Sequence, residues 1–527
     1  MAEQTIGGRI YPIGIQSFQK IIEEGYTYVD KTFFVAKLVK ETQYVFLSRP
    51  RRFGKSLLLS TIHAYFDGRR DLFKGLAIDK MDMDWTPRPV LHFDLNTGKY
   101  DQPEGLLNRL SASLTTYEGR FGILPSMESD PALRFENLIN GIHQDTGKKV
   151  VILVDEYDKP LLGIEENPEL YEKNQRMLKG FFSNLKSMDD HIEFAMLTGV
   201  ARFSKVSIFS DLNNLDDISM ESGYANICGW TEAELTDNFE FGIRELAKFR
   251  AEEVSLTIKE LREYYDGYLF APNGSRLYNP FSILKALKAK AILPYWFDTG
   301  TPTFLANRIR KEGIDPESLN GQTQSYSELI AVGLGTNNVI ALMFQTGYLT
   351  IDSYDARRQI YTLRFPNREV EVAFAQNLLP LYVPATSAIN GRFNLQAFKD
   401  NLYYGDPYAF MERLQALFKD LPVEDHREST YRAVTYLLCL LSGTEAIPER
   451  HSYKGRSDLE VLTTDYVYVF EFKYDKSVEE AMEQIHSRDY AGRYALDPRT
   501  VYLIGANFNE KKEERGLQYE IERMEKN

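Results

Sequence analysis

Two sets of side chains in this sequence have the types and spacing for work on phosphate. The first is Tyr44-Val45-Phe46-Leu47-Ser48-Arg49-Pro50-Arg51-Arg52-Phe53-Gly54-Lys55-Ser56, followed by the apolar helix start Leu57-Leu58-Leu59. It reads strand, loop, Gly-Lys-Ser, helix. In that order the loop amides and the positive end of the following helix face an anion. Lys55 would reach the outer phosphates of a nucleotide, the Ser56 hydroxyl would ligate Mg²⁺, and Gly54 would let the backbone come close. The consensus has a glycine where this chain has Arg49. Roughly a hundred residues on, the apolar strand 151–154 ends in Asp155 and Glu156. Asp155 is expected to hold Mg²⁺, directly or through water, and Glu156 to polarise the attacking water. A third strand ends at Leu197-Thr198-Gly199-Val200-Ala201-Arg202. There Thr198 either senses a γ-phosphate or caps a helix, and Arg202 either contacts phosphate or a neighbouring subunit or is a plain surface residue. Arg51 and Arg52 either stabilise charge that develops during hydrolysis or bind nucleic-acid phosphate.

The second set is Asp458, Glu471 and Lys473. Arg456-Ser457-Asp458-Leu459-Glu460-Val461-Leu462, a polar turn at 463–465 and the run 466–473 ending Phe470-Glu471-Phe472-Lys473 read as an antiparallel hairpin. Asp458 and Glu471 then stand on adjacent strands, and Glu471 and Lys473, two residues apart, share a face. Two carboxylates can hold Mg²⁺ against a scissile phosphate while a lysine beside them orients or activates water.

The elements that must position these groups follow from periodicity. The apolar runs 44–47, 90–93, 150–154 and 192–197 are separated by helix-length segments, which implies a mostly parallel sheet covered on both faces. Covering helices are expected over 181–188 and 231–249, the second opening with Thr231 and Glu234 at capping-box distance. The pattern breaks at Pro272-Asn273-Gly274. From 281 to 384 it reads mainly helical with short strands such as 359–365. A helix over 428–441 then leads into a strand-rich tail, with a helix over 477–491 carrying Gln484 and Tyr490 and a strand over 500–504. Three domains are expected, 1–280, 281–384 and 385–527.

At 527 residues, with 43% hydrophobic, 26% charged and 13% aromatic residues, the chain has the composition of a folded multidomain protein. The formal net charge of −14 argues against a protein that coats nucleic acid without specificity, since that binding neutralises many phosphates. A local basic groove remains open, from Arg49, Arg51, Arg52 and Lys55, whereas Arg308, Arg310 and Lys311 read as a solvated face. Cys228 and Cys439 lie far apart without metal-ligand spacing, so neither zinc nor a disulfide framework is expected. The N-terminal residues lack the pattern of a secretory signal and no run of eighteen apolar residues occurs, which points to the cytoplasm and away from a membrane.

Several motifs together resemble the bacterial AAA-ATPase-like family: Tyr28-Val29-Asp30-Lys31-Thr32, the loop from Arg49 to Ser56, Leu153-Val154-Asp155-Glu156-Tyr157-Asp158-Lys159-Pro160 and Thr198-Gly199-Val200. Tyr264-Tyr265-Asp266-Gly267-Tyr268 and Tyr278-Asn279-Pro280 complete the set. In that family Arg49 is the usual residue of the loop. The resemblance implies an AAA-like core that binds ATP with Mg²⁺, with hydrolysis expected. The tail is similar to the PD-(D/E)XK nuclease superfamily. That likeness implies Asp458, Glu471 and Lys473 as the catalytic trio, Asp458 and Glu471 as metal ligands, and Gln484 as the polar helix position. The leading helix lacks a central acid, for which Glu449 is a weak substitute. The fold class expected is thus α/β throughout: a P-loop AAA-like parallel-sheet domain, a mainly helical connecting region and a restriction-endonuclease-like α/β domain. The expected function is nucleotide binding or hydrolysis that gates a nuclease-like module acting on DNA or RNA. The alternative is a nucleotide-controlled switch whose tail binds without cutting. AAA-like sites often take an arginine from a neighbour, so a homo-oligomer is a further expectation that no single residue carries.

Overall fold

In the computed structural model the apolar runs of the first 200 residues become neighbours in one parallel sheet. The described residues are 11–124, 129–164, 167–202, 214–296, 303–330, 338–383, 393–421, 428–451, 455–509 and 516–525. The boundary expected at 384/385 and the first ten residues of the N-terminal reading fall outside them. The chain divides into two units, 1–298 with 321–369 and 299–320 with 370–527, so it crosses from one to the other three times.

The first unit is built on β1 (Tyr44–Ser48), β2 (Val90–Asp94), β3 (Val150–Asp155), β4 (Ile192–Gly199) and the short β5 (Asp216–Asp217), in the order β2-β3-β4-β1-β5. All pairings are parallel. β3 is buried at every position, as a strand covered on both faces must be. The helices α1 (Phe18–Glu23), α2 (Thr32–Glu41), α3 (Lys55–Phe66), α4 (Gly105–Phe121), α5 (Pro131–Thr146) and α6 (Pro168–Ser187) belong to this layer. Phe93 of β2 meets Phe135 of α5 and Phe181 of α6 at ring distances of 5.2 and 5.3 Å.

A helical module of α7 (Glu232–Arg250), α8 (Val254–Tyr265) and α9 (Pro280–Ala289) follows. The Thr231/Glu234 capping box forms. Leu235, Phe239, Ile243, Leu261, Tyr265 and Ile283 share one buried cluster. Asn279 of the Tyr-Asn-Pro motif accepts from the amides of Phe281 and Ser282 and starts α9. Lys31 of the Val-Asp-Lys-Thr motif reaches α7, 2.6 Å from Glu234 Oε1.

The described residues within 281–384 hold helices and three short strands, and they are shared between the units. After α10 (Thr303–Glu312) come β6 (Thr323–Ser325), α11 (Tyr326–Leu329), α12 (Val339–Thr346), β7 (Thr350–Asp355), β8 (Ile360–Arg364) and α13 (Arg368–Leu378). Strands β6, β8 and β7 form a small antiparallel sheet. On α10, Arg308 pairs with Glu312 at 2.9 Å and Arg310 rests on the Tyr382 ring at 5.4 Å.

The second unit continues with α14 (Leu395–Tyr403), α15 (Pro407–Phe418) and α16 (Glu428–Leu441). Next are β9 (Glu445–His451), β10 (Arg456–Leu462), β11 (Tyr466–Tyr474), α17 (Val478–Ser487), β12 (Thr500–Asn509) and β13 (Gly516–Arg523). The sheet is mixed, in the order β13-β12-β11-β10-β9, with β11 and β12 parallel through the α17 crossover. Alternation on β11 sorts the two faces. Val467 and Val469 pack with Met482 and Ile485 of α17, while Phe470 and Phe472 stack together on the other face, where Phe470 meets Phe410 of α15. The helix expected to reach residue 491 ends at Ser487, because Asp489 takes a left-handed conformation that a helix does not continue through. Among the described residues no helix is long and apolar enough to cross a membrane. Both cysteines are buried and free.

Candidate functional site

Parallel α/β sheets present ligands at the carboxyl ends of their strands. Here the residues at that edge are the ones singled out above. β4 lies between β1 and β3, with Ser48 opposite Gly199 and Val154 opposite Leu197. The loop after β1 leads straight into α3, whose N-cap is Gly54. Gly54 has φ +98°, and nothing lies within 4 Å of where a Cβ would stand, so the loop backbone is open to an approaching group. Lys55 is buried at 3% exposure. Its Nζ donates to the carbonyls of Arg49 (3.0 Å) and Pro50 (3.3 Å) and lies 3.2 Å from Glu156 Oε1. Glu156 has φ +54°, a left-handed turn directly after β3 that costs on the order of 1 kcal/mol. Thr198 Oγ1 donates to Asp155 Oδ1 at 2.8 Å, so its proton is spent on orienting the acid. Gly54, Lys55, Ser56, Asp155, Glu156 and Thr198 therefore come together at one edge.

The three loop arginines part company. Arg51 is exposed, and its carbonyl accepts from Trp296 Nε1 at 3.2 Å. Arg52 has φ +69° and lays its guanidinium on the Phe281 ring at 3.6 Å. Arg49 turns inward at 1% exposure, donates to the carbonyls of Ser48 (2.9 Å), Ser219 (2.7 Å) and Tyr224 (3.3 Å), and sits 4.1 Å over Phe270. Burial pulls its guanidinium down to about 10. This residue anchors the loop, which explains why a side chain replaces the consensus glycine. Arg49→Gly, which restores that glycine, is expected to destabilise the first unit by about 3 kcal/mol, since it strands buried carbonyls and opens a cavity. Tryptophan fluorescence in urea reads this directly, because Trp85, Trp230 and Trp296 all lie in that unit. Arg202 forms an ion pair with Asp217 and donates to Tyr326 Oη at 3.0 Å, a tether within the unit.

Asp158 was not marked by spacing. It is fully buried, and its Oδ2 accepts from the amides of Val200 (2.9 Å) and Ala201 (2.6 Å), tying the exit of β3 to the exit of β4. Tyr157 adds Oη to Ala201 O at 2.8 Å. Gly199 is required here, since a Cβ would meet the Tyr157 ring at 2.7 Å and Asp158 Oδ1 at 2.8 Å. Burial, then the charge of Glu156, push the Asp158 carboxyl up to about 7. The folded unit thus holds a proton that the unfolded chain has released, so its stability is expected to fall as pH rises from about 4 to about 7. Asp158→Asn keeps one oxygen for both amides and removes the titration. Calorimetry across that range should give a flatter slope for the variant.

In the second unit the register of β10 on β11 places Leu459 opposite Phe470, which leaves Asp458 and Glu471 as the next residues on the two strands. Asp458 Oδ2 accepts the Phe472 amide at 2.8 Å. Glu471 is 1% exposed; its Oε1 accepts from Lys473 Nζ at 2.6 Å, and its Oε2 is buried without a partner. Burial first, and the charge of Asp458 second, push the Glu471 carboxyl up to about 7. Gln484 on α17 donates to Tyr490 Oη at 2.9 Å, and Tyr490 is within electrostatic reach of Asp458, Glu471 and Lys473. Glu449 of β9 pairs instead with Arg456 at 2.9 Å and Arg432 at 3.6 Å. Arg432 of α16 is held 2.6 Å from Glu317, a buried carboxylate that no local pattern marked.

Among the described residues no three or more His, Cys, Asp or Glu side chains stand close enough to hold a metal by themselves. The unpartnered Glu471 oxygen beside Asp458 nonetheless fits a hard divalent cation, which completes its shell with backbone carbonyls, water and a substrate phosphate. The open amide loop with Lys55, Ser56 and Asp155 fits a nucleotide polyphosphate and its Mg²⁺.

Residues 12–209 match the family described as Predicted AAA-ATPase, and residues 426–516 match the PD-(D/E)XK nuclease superfamily. An uncharacterized protein in the vnfD 5′ region of Azotobacter chroococcum mcd 1 is 37% identical over 511 residues, which span 94% of this chain and 96% of that protein. The solved structure of the Aeropyrum pernix ORC1 protein in complex with DNA covers 66% of this chain and 91% of its own, at 11% identity and a TM-score of 0.24. A superposition that loose carries no argument. The chain belongs to the bacterial AAA-ATPase-like family and carries, after that domain, one of the PD-(D/E)XK nuclease superfamily.

Proposed function

We propose that this protein binds and hydrolyses ATP at the β1–α3 loop and couples that cycle to metal-dependent cleavage of nucleic-acid phosphodiesters in the second unit. The observation that carries the reading is the burial of Glu471 between Asp458 and Lys473 with one oxygen unpartnered. Beside it stands the 3.2 Å meeting of Lys55 and Glu156 at the edge of the parallel sheet. In this reading 1–280 carries the nucleotide chemistry, 281–384 connects, and 385–527 carries the phosphodiester chemistry. The setting is the cytoplasm, and the partners are DNA or RNA and further copies of the chain.

At the first site the loop amides and the start of α3 receive the phosphates, and Lys55 exchanges its carbonyl partners for phosphate oxygens. Ser56 and Asp155 would hold Mg²⁺, Thr198 keeps Asp155 aimed, and Glu156, released from Lys55, orients the attacking water. Arg51 and Arg52 flank the loop as added positive charge. At the second site Asp458 and Glu471 would hold a divalent cation that polarises the scissile phosphate. Lys473 orients the attacking water, and Gln484 with Tyr490 walls that face.

The test is cleavage of labelled single- and double-stranded DNA and RNA with Mg²⁺ or Mn²⁺, with and without ATP. Wild type is compared with Lys55→Ala and Glu471→Ala. Cleavage lost in the second and altered in its ATP dependence in the first is the expected result. ATP binding with no cleavage of any substrate would replace this reading with a nucleotide-controlled switch.

A further inference from the structure

The hairpin carboxylates have a cationic neighbour from outside the hairpin. Arg432 lies in the second turn of α16, and its charge reaches both Asp458 and Glu471. Its Nη2 stands 2.6 Å from Glu317 Oε1 and 3.6 Å from Glu449, while its Nε is buried without an acceptor. Glu317 belongs to the turn Pro316–Ser318, on the segment 299–320 that enters the second unit between two stretches of the first. Beside Arg432 is an open hollow of about 390 Å³, lined also by Asp315, Glu428, Ser429 and Tyr474. Tyr474 directly follows Lys473 on β11.

We propose that Arg432 receives a backbone phosphate of the nucleic acid at this hollow, and that Glu317 is the positioning residue that holds its guanidinium ready. This rests on the phosphodiester reading above. A polyanion that enters this hollow meets one cation among its lining residues, Arg432. Asp315, Glu317, Glu428, Glu449, Asp458 and Glu471 surround the site and repel a polyanion, and Lys473 is already committed to Glu471 at 2.6 Å. A guanidinium keeps donors to spare after one carboxylate bond and takes phosphate through a planar fork, which an ammonium cannot do. Ser429 and Tyr474 line the same hollow. A small turn toward the phosphate also gives Nε an acceptor and relieves a buried unsatisfied donor.

The test uses the full chain, labelled DNA and RNA oligonucleotides, and Ca²⁺ in place of Mg²⁺ so that binding is read without cleavage. Arg432→Gln is expected to weaken binding about tenfold and to lower the slope of log affinity against log salt by about one. Arg432→Lys should keep the slope and recover only part of the affinity. Glu317→Gln should raise KM for cleavage more than it lowers kcat and leave ATP binding unchanged. Wild-type affinity and slope in Arg432→Gln, alongside cleavage lost in Glu471→Gln, would overturn the role of Arg432 and leave the nuclease reading standing. No oligonucleotide binding by the wild type would overturn both.

Discussion

Glu471→Gln is expected to abolish phosphodiester cleavage, by a factor on the order of 10³ or more in kcat, while leaving ATP binding and oligonucleotide binding in place. The amide has the shape of the carboxyl, so Oε1 can still accept from Lys473, but it no longer offers an anionic oxygen to a cation beside Asp458. The substitution is not expected to unfold the second unit. Burial and the charge of Asp458 already push the Glu471 carboxyl up to about 7, so the folded unit pays an electrostatic penalty when Glu471 ionises, and a neutral amide removes it. The paired measurement is the thermal midpoint with and without Mn²⁺. The cation should raise it in the wild type by mass action and leave the variant unmoved. A variant that still cleaves at the wild-type rate would remove Glu471 from the chemistry.

Lys55→Ala is expected to lower ATP affinity by about 10² or more and to remove hydrolysis. Lys55 is the buried cation of the loop, held in place by two loop carbonyls and Glu156 rather than by a distant ion pair, so exchange of those partners for phosphate needs no large movement. Glu156→Gln separates binding from chemistry. It keeps a side chain of the same shape against Lys55 but cannot act as a base, so ATP should still bind while turnover falls. Titration with a fluorescent ATP analogue and phosphate release measure the two arms. Wild-type nucleotide affinity in Lys55→Ala would show that the β1–α3 loop is not the site.

Much of both sites is legible in sequence because it is local. Strand, Gly-Lys-Ser and helix are contiguous, and the i, i+2 spacing of Glu471 and Lys473 needs only strand geometry to put both on one face. The hairpin register follows from the short polar turn at 463–465, and the Thr231/Glu234 box closes within one helical turn. The over-extension of α17 has a local cause too, since neither periodicity nor composition shows that Asp489 adopts a left-handed conformation.

Arg49, Asp158 and the Glu317–Arg432 pair were not legible in this way. By sequence Arg49 is one member of a local basic cluster that stands where the consensus has glycine. Only the packing of Phe270 and of the Ser219 and Tyr224 carbonyls around it turns it into an anchor. Asp158 gains its role from the exit of β4 at Val200, 42 residues away, and Glu317 from α16, more than a hundred residues away. The amino-acid sequence by itself determined where the strands, the Gly-Lys-Ser loop and the hairpin of the two candidate sites fall, because backbone periodicity and short-range spacing are properties of neighbouring residues. The tertiary structure alone decided that β4 lies between β1 and β3, that Lys55 meets Glu156, and which charged groups are buried as anchors. Those outcomes depend on how apolar faces pack across long sequence separations, which no local pattern encodes.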